Sequence, residues 1–124
     1  MSEEVKILVL VADDNEGIRD TTAAILRGAG YAVTEASDGQ AALDELSQHD
    51  FNVVLLDVRM PRRDGISVVE TLRPEPPPPV IVMVSAYDFD TELRKHLDQR
   101  VFRYMKKPVP PKELIEAVGQ AAAS

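Results

Sequence analysis

Three short stretches of this chain are apolar at nearly every position. Val5 to Ala12, Phe51 to Leu56 and Val80 to Val84 are rich in Val, Ile and Leu. Continuous apolar runs of this length, heavy in β-branched residues, are the pattern of parallel strands buried on both faces. Two weaker runs join them. Tyr31 to Ala36 is more polar and suits an edge strand, and a short run spans about Val101 to Met105.

The segments between the runs carry helical spacing. Ile18, Thr22, Ile25, Leu26 and Ala29 share one face of a first helix, which Gly28 and Gly30 help to end. Ala42, Leu43 and Leu46 mark a second helix after Asp38-Gly39, and Ile66 and Val69 a third. The third should stop near Arg73, because Pro74 disfavours helical geometry in the residue before it. Phe89, Leu93 and Leu97 recur at fourfold spacing in a fourth helix. Leu114, Ile115 and Val118 mark a fifth, with Pro110-Pro111 suited to its first turn. The prolines from Pro76 to Pro79 read as a stiff connector before the fourth run rather than as a polyproline ligand. Strict β/α alternation with short connections implies one α/β domain over residues 1–124, with helices on both faces of a parallel sheet.

Composition removes several function classes. At 124 residues the chain holds one hydrophobic core and not two. It has no cysteine, so it offers no disulfide framework, thiol nucleophile or thiolate metal site. Fourteen Lys and Arg against twenty-one Asp and Glu give a net charge of −7, which argues against direct nucleic-acid binding by this domain. The longest wholly apolar run, Ile7 to Ala12, is too short to span a bilayer. Met1-Ser2-Glu3-Glu4 lacks the basic start of a secretory signal, so a cytoplasmic protein without membrane contact is expected.

In an open parallel sheet, ligands bind outside the carboxyl ends of the strands. The residues found there are Asp13-Asp14, Asp57, Ser85 and Lys106-Lys107-Pro108. Each has an ordinary reading alone. Asp14 or Asn15 could cap a helix, Asp57 could begin a turn, Ser85 could be a loop hydroxyl and Lys107 a solvated lysine. His49 and His96 read as surface residues without metal spacing. Together the strand-end groups demand more. Two carboxylates ~4 Å apart repel by roughly 4 kcal/mol at an effective dielectric of about 20. Three of them need compensating charge, which Lys107 and a hard divalent cation such as Mg²⁺ can supply. A carboxylate, a cation, an ammonium and a hydroxyl are also the parts needed to move a phosphoryl group onto an aspartate.

On these residues the chain resembles the response-regulator receiver domains of two-component signalling. The resemblance rests on Asp13-Asp14, on Asp57 to Gly65 (Asp-Val-Arg-Met-Pro-Arg-Arg-Asp-Gly), on Ser85-Ala86 and on Lys107-Pro108. It implies a (βα)5 flavodoxin-like, doubly wound five-stranded parallel sheet in strand order 2-1-3-4-5. It implies Asp57 as the phosphoacceptor, with a Mg²⁺ cofactor held by Asp13, Asp14, Asp57 and the backbone carbonyl of Arg59. Lys107 would pair with Asp57 and later with the phosphoryl group. Ser85 would donate to that group, and Tyr104 would be the aromatic switch residue. A cis peptide before Pro108 is implied as well. The implied partners are a sensor histidine kinase or phosphotransfer protein, and a downstream target met through the face of helix four, strand five and helix five. A phosphorylation-dependent dimer is a further implication. The protein would be a signalling receiver and not a turnover enzyme.

Some positions depart from the usual pattern. Ser85 stands where Thr is more common, Gln99-Arg100-Val101 replaces a small-residue stretch, and Arg59, Arg62 and Arg63 form a basic loop whose last two charges read as solvated. The competing function class is a phosphorylation-independent adaptor with the same fold, which has no need of the whole Asp-Asp-Asp-Ser-Lys set. An aspartyl phosphatase is disfavoured because Arg59 stands where a second Asp is usual. A dinucleotide binder is disfavoured because no Gly-x-Gly-x-x-Gly motif occurs. Both a stand-alone receiver and a receiver within a longer regulator fit this sequence.

Overall fold

The computed structural model describes residues 6–60, 62–72, 78–89, 91–97 and 99–124, without the side chains of residues 92, 93 and 96. Among these, five strands alternate with five helices. They are β1 (Leu8–Ala12), α1 (Glu16–Gly28), β2 (Ala32–Ala36), α2 (Gly39–Gln48), β3 (Val53–Asp57), α3 (Gly65–Thr71), β4 (Val80–Ser85), α4 (Thr91–Leu97), β5 (Arg103–Lys106) and α5 (Pro111–Ala122). The strands form one parallel sheet in the order β2-β1-β3-β4-β5, as expected.

The near-continuous apolar strands divide their side chains between two cores, because successive residues of a strand point to opposite faces. Val9, Val11, Val53, Leu55 and Val82 pack with Leu26 of α1 and with Leu114 and Val118 of α5. Leu10, Leu56, Ile81 and Met83 pack with Ala42 of α2, Val68 and Val69 of α3 and Leu97 of α4. The polar β2 lies at an edge, consistent with its composition.

The first three helices are capped by side chains at their starts, whereas α5 begins on Pro110 with no side-chain cap. Asn15, Asp38 and Asp64 accept hydrogen bonds from the backbone N–H groups of Ile18, Ala41 and Ser67 at 3.0, 2.8 and 2.8 Å. Such caps satisfy donors that have no partner inside the helix. Gly30, at φ +100°, ends α1, with the Tyr31 N–H bonded to the Leu26 carbonyl and the Gly30 N–H to that of Arg27. This wrapped-back pattern needs a left-handed residue, which glycine supplies without steric cost.

Several boundaries differ from the sequence reading. The expected first-strand start at Val5 lies outside the described residues, and β1 begins at Leu8. Gly28 stays within α1. Ile18, expected on the buried face of α1, is 42% exposed. Helix α3 stops at Thr71, and Leu72 is already extended at ψ 129°. The expected stop at Arg73 before Pro74, like Pro76 and Pro77 in the connector, lies outside the described residues. Phe89 precedes α4 instead of lying within it, although Leu97 is buried as expected. The fifth strand begins at Arg103, two residues late, because Val101 is buried ahead of the ladder.

Two glycines are required by close backbone approach. A Cβ on Gly65 would lie 2.3 Å from the Asp57 carbonyl oxygen, and one on Gly39 would lie 1.9 Å from that of Arg63. Gly65→Ala should therefore lower the unfolding free energy by about 1–3 kcal/mol, the usual cost of overpacking. A Cβ on Gly28 would meet nothing within 4 Å. Gly28→Ala should stabilise by about 0.5–1 kcal/mol, since alanine loses less backbone entropy in a helix. Urea denaturation of both variants checks the pair, and equal effects would contradict the close-packing account.

Candidate functional site

The strand register assembles the site. Ala12 pairs with Leu56, so Asp13, one residue beyond β1, is brought beside Asp57, the last residue of β3. Asp57 in turn pairs with Val84, and Ser85 with Lys106. Strand order reverses between β1 and β3, and their helices leave toward opposite faces. The diverging helices open a crevice at the carboxyl ends, the usual ligand position in such sheets.

In that crevice Lys107 bridges two carboxylates. Its Nζ donates to Asp13 Oδ2 at 2.7 Å and to Asp57 Oδ2 at 3.0 Å. Asp13, Asp57 and Ser85 are the buried polar residues among those described, at 5%, 7% and 4% exposure. The second oxygen of Asp13 accepts the Asn15 N–H at 2.9 Å. The second oxygen of Asp57 accepts the Arg59 N–H at 3.3 Å. The sequence reading paired Lys107 with Asp57; the shorter contact to Asp13 was not foreseen. Nothing in the order of residues distinguishes two carboxylates that share one ammonium.

Burial pushes the Asp57 carboxyl above its ordinary value of 3.8. The Lys107 ammonium opposes that shift, and the nearby Asp13 charge adds to it. Burial pulls the Lys107 ammonium down, but its hydrogen bonds to Asp13 and Asp57 prevail and hold it above its ordinary 10.5. Lys107 is therefore cationic throughout the physiological range.

Asp14 contributes an exposed carboxylate, and one oxygen from each of Asp13, Asp14 and Asp57 lies within 4.8 Å of the others. Three hard oxygen donors in one cluster suit a small divalent cation that keeps several waters, as Mg²⁺ does. Capping of α1 falls to Asn15, which leaves Asp14 for this cluster.

Ser85 ends β4, and its Oγ accepts the Tyr87 N–H at 3.1 Å. A hydroxyl that accepts in this way keeps its O–H for donation. The Lys107 N–H donates to the Ser85 carbonyl at 2.7 Å, and the Lys107–Pro108 peptide is cis, as the resemblance implied. Tyr104 is partly buried, edge-to-face with Phe89 at 4.9 Å between centroids, and the Arg94 guanidinium stacks on its ring at 4.9 Å. The Arg59 guanidinium lies 4.3 Å from the centroid of the exposed Tyr87 ring.

The last two charges of the basic loop are solvent-accessible, as expected, but each has a partner. Pro61 lies outside the described residues, but Arg62, in left-handed backbone at φ 65°, pairs with Asp38 at 2.9 Å. Arg63 donates to the Thr71 hydroxyl at 2.8 Å. The Ala41 N–H and then Arg62 hold the Asp38 carboxyl below its ordinary value. His49 is exposed, with Glu45 3.9 Å away, and the side chain of His96 lies outside the described residues. Beside the acidic residues a cavity of about 760 Å³ runs between α1 and α5, walled by Ile18, Ile25, Val109 and Leu114.

Comparisons with known proteins agree with this geometry. Residues 9–119 match the family model described as the response regulator receiver domain. Transcriptional regulatory protein PdtaR of Mycobacterium tuberculosis is 34% identical over 116 residues, covering 93% of this chain and 56% of that protein. Sensory transduction protein RegX3 of Mycobacterium bovis is 36% identical over 110 residues, covering 89% and 48%. The chain thus spans about half the length of the curated relatives it matches. A CheY-like response regulator receiver domain protein from Methanospirillum hungatei superposes with a TM-score of 0.88 at 28% identity, over 96% of this chain and 95% of that one. The receiver domain of the Francisella response regulator 1452 gives 0.86 at 30% identity, over 95% and 98%. No helix among the described residues is long and apolar enough to cross a membrane.

The raised Asp57 carboxyl has a consequence for stability. Folded Asp57 keeps its proton to higher pH than the unfolded chain does. Its contribution is fully present below about pH 3.8 and is lost as pH rises through the folded value. In EDTA, Asp57→Asn should therefore gain stability relative to the parent as pH is raised from the acid range toward neutrality, with Lys107 still held by Asp13. Denaturant midpoints measured across that range check this, and a difference that is constant or shrinks with rising pH would contradict it.

Proposed function

The chain belongs to the response regulator receiver family, and from that premise we propose that Asp57 is its phosphoacceptor. Receiver domains are signalling modules of two-component systems, working between histidine kinases and downstream effectors. In this reading residues 1–124 form one receiver. The observation that carries it is the buried Asp13–Lys107–Asp57 bridge, 2.7 and 3.0 Å long, at the carboxyl ends of neighbouring strands. A purely structural ion pair has no need of a third carboxylate or of a buried hydroxyl on the next strand.

An Asp57 oxygen attacks the phosphorus of a kinase or phosphotransfer phosphohistidine. An O–P bond forms as the N–P bond breaks, and the electron pair leaves on the imidazole nitrogen. Lys107 is placed to move from the Asp57 oxygen to a phosphoryl oxygen, and the Ser85 O–H to donate to another. Asp13, Asp14 and Asp57, with the Arg59 carbonyl, would hold Mg²⁺, which supplies positive charge beside the transferring oxygens. Tyr104, braced by Phe89 and Arg94, is the switch residue of the face formed by α4, β5 and α5. That face would meet the downstream target or a second copy of the chain. The setting is cytoplasmic. The chain assists its own phosphorylation and turns over no separate substrate.

Incubation with acetyl phosphate and Mg²⁺ should add one alkali-labile phosphoryl group per chain. Asp57→Asn should abolish it and EDTA should suppress it. Equal labelling of Asp57→Asn would overturn the assignment, and failure of the parent chain to label would favour the adaptor alternative.

The Arg59–Tyr87 stack bears on how long the signal lasts. Aspartyl phosphate is lost when water attacks in line, opposite the Asp57 oxygen. By the family resemblance, the side chains two residues beyond Asp57 and Ser85 overhang that approach, and the stacking of Arg59 on Tyr87 favours a closed arrangement. Exposed cation–π pairs contribute about 0.5–1 kcal/mol. After removal of the donor, Arg59→Ala and Tyr87→Ala should each dephosphorylate faster than the parent. The double variant should gain less than the combined single effects, because the two side chains form one lid. Unchanged decay in all three would place the control of lifetime elsewhere.

A further inference from the structure

Arg19, early in α1, is tied through the main chain to the segment that carries two of the strand-end side chains. Its side chain is only 16% exposed, low for an arginine. Its Nη1 donates to the main-chain carbonyl of Asp13 at 3.0 Å, and its Nε lies 3.4 Å from Glu35 Oε1. Glu35 sits on β2, opposite Val11 of β1, and also pairs with Arg27 at 3.4 Å. Arg27 donates in turn to the Val33 carbonyl at 3.0 Å. The peptide joining Asp13 to Asp14 is thereby anchored to the edge strand through a partly buried ion pair.

The two aspartates depend on this anchor differently. Asp13 is held at every polar atom. Its N–H donates to the Ala36 carbonyl at 3.1 Å, Arg19 takes its carbonyl, and its two carboxylate oxygens accept from Asn15 and Lys107. Asp14 has an exposed side chain, and its direction follows from the peptide plane that precedes it. The Arg19 hydrogen bond fixes that plane.

We infer that Arg19 is a positioning residue for the acidic pocket: it orients the Asp13–Asp14 peptide so that the Asp14 carboxylate meets those of Asp13 and Asp57, and Glu35 holds its guanidinium in place. The inference rests on the reading of that pocket as a Mg²⁺ site. Arginine suits the task because its rigid planar fork addresses a carbonyl and a carboxylate at once, which a lysine ammonium on a flexible stem does less well.

Electrostatics alone predicts the opposite sign. Arg19 is a positive charge near a cation site, so its removal by itself should tighten Mg²⁺ binding. Positioning predicts weaker binding. Residues that orient metal ligands from behind typically account for about 10–100-fold in affinity. Mg²⁺ binding to the full chain, without phosphodonor, is measured by calorimetry for the parent, Arg19→Gln, Arg19→Lys and Asp14→Asn. Arg19→Gln should bind about tenfold more weakly. Arg19→Lys should also weaken, although it keeps the charge, and it carries the test if Arg19→Gln does not fold. The rise in melting temperature caused by Mg²⁺ should shrink in both variants; a merely structural arginine would lower the metal-free and metal-loaded values alike. Unchanged or tighter binding in the folded Arg19 variants, with Asp14→Asn impaired, would overturn the inference alone. Parent-like binding by Asp14→Asn would overturn the metal-pocket reading and the inference with it.

Discussion

One ammonium holds the carboxyl edge of this sheet together. Lys107 closes on Asp13 and Asp57 at once, from just beyond β5, a strand two positions away from β3, and the cis peptide follows it directly. The two acids are buried, and burial disfavours the charged form of Asp57. Without the lysine, neighbouring carboxylates in this setting would repel strongly. The parallel sheet causes this crowding, since it brings the ends of β1 and β3 side by side, and it also supplies the remedy, since β5 ends on the same edge.

An edge arranged in this way is not optimised for stability. The Asp57 carboxyl is raised in spite of its lysine, so burial outweighs the ion pair there. Breaking a buried pair leaves an uncompensated charge, whereas replacing a whole buried ionic group with apolar side chains is often harmless. The clustering of three acids, one lysine and one buried hydroxyl therefore speaks for chemistry over architecture. The same arrangement is poised for change. A phosphoryl group on Asp57 would draw away the ammonium that now balances Asp13.

The loops around the site are stiffened by contacts between them. Gly39 lies against the backbone of Arg63, Gly65 lies against that of Asp57, and Arg62 reaches back to Asp38 at the start of α2. The loop after β3 is thus clamped from the β2–α2 turn on one side and by α3 on the other. On the opposite side of β1, Arg19 and Glu35 tie the acidic turn to β2. The strand that ends in Asp57 and the acidic turn are both braced by residues outside the strand-end cluster.

Much of this was legible in the residue order. Near-continuous apolar runs rich in β-branched residues, with helical spacing between them, specified the alternation, because burial on both sheet faces leaves few polar positions in β1, β3 and β4. Strand-end placement then singled out Asp13, Asp14, Asp57, Ser85 and Lys107, since in a parallel sheet every strand ends on the same edge. The caps at Asp38 and Asp64 could have been read as well, from an Asp just before a helical stretch. Other features are relations between distant segments. That Lys107 lies closer to Asp13 than to Asp57 depends on how β5 packs, and the Asp38–Arg62 and Arg19–Glu35 pairs join residues with no periodic relation in sequence. Ile18, exposed in the folded chain, lines the cavity between α1 and α5, which exists only once both helices are docked. Local pattern decided which elements form and which groups end them, because periodicity and end position are properties of the chain itself. Tertiary structure alone decided which charges share a partner and which glycines are indispensable, because those depend on distances set by packing between segments far apart in sequence.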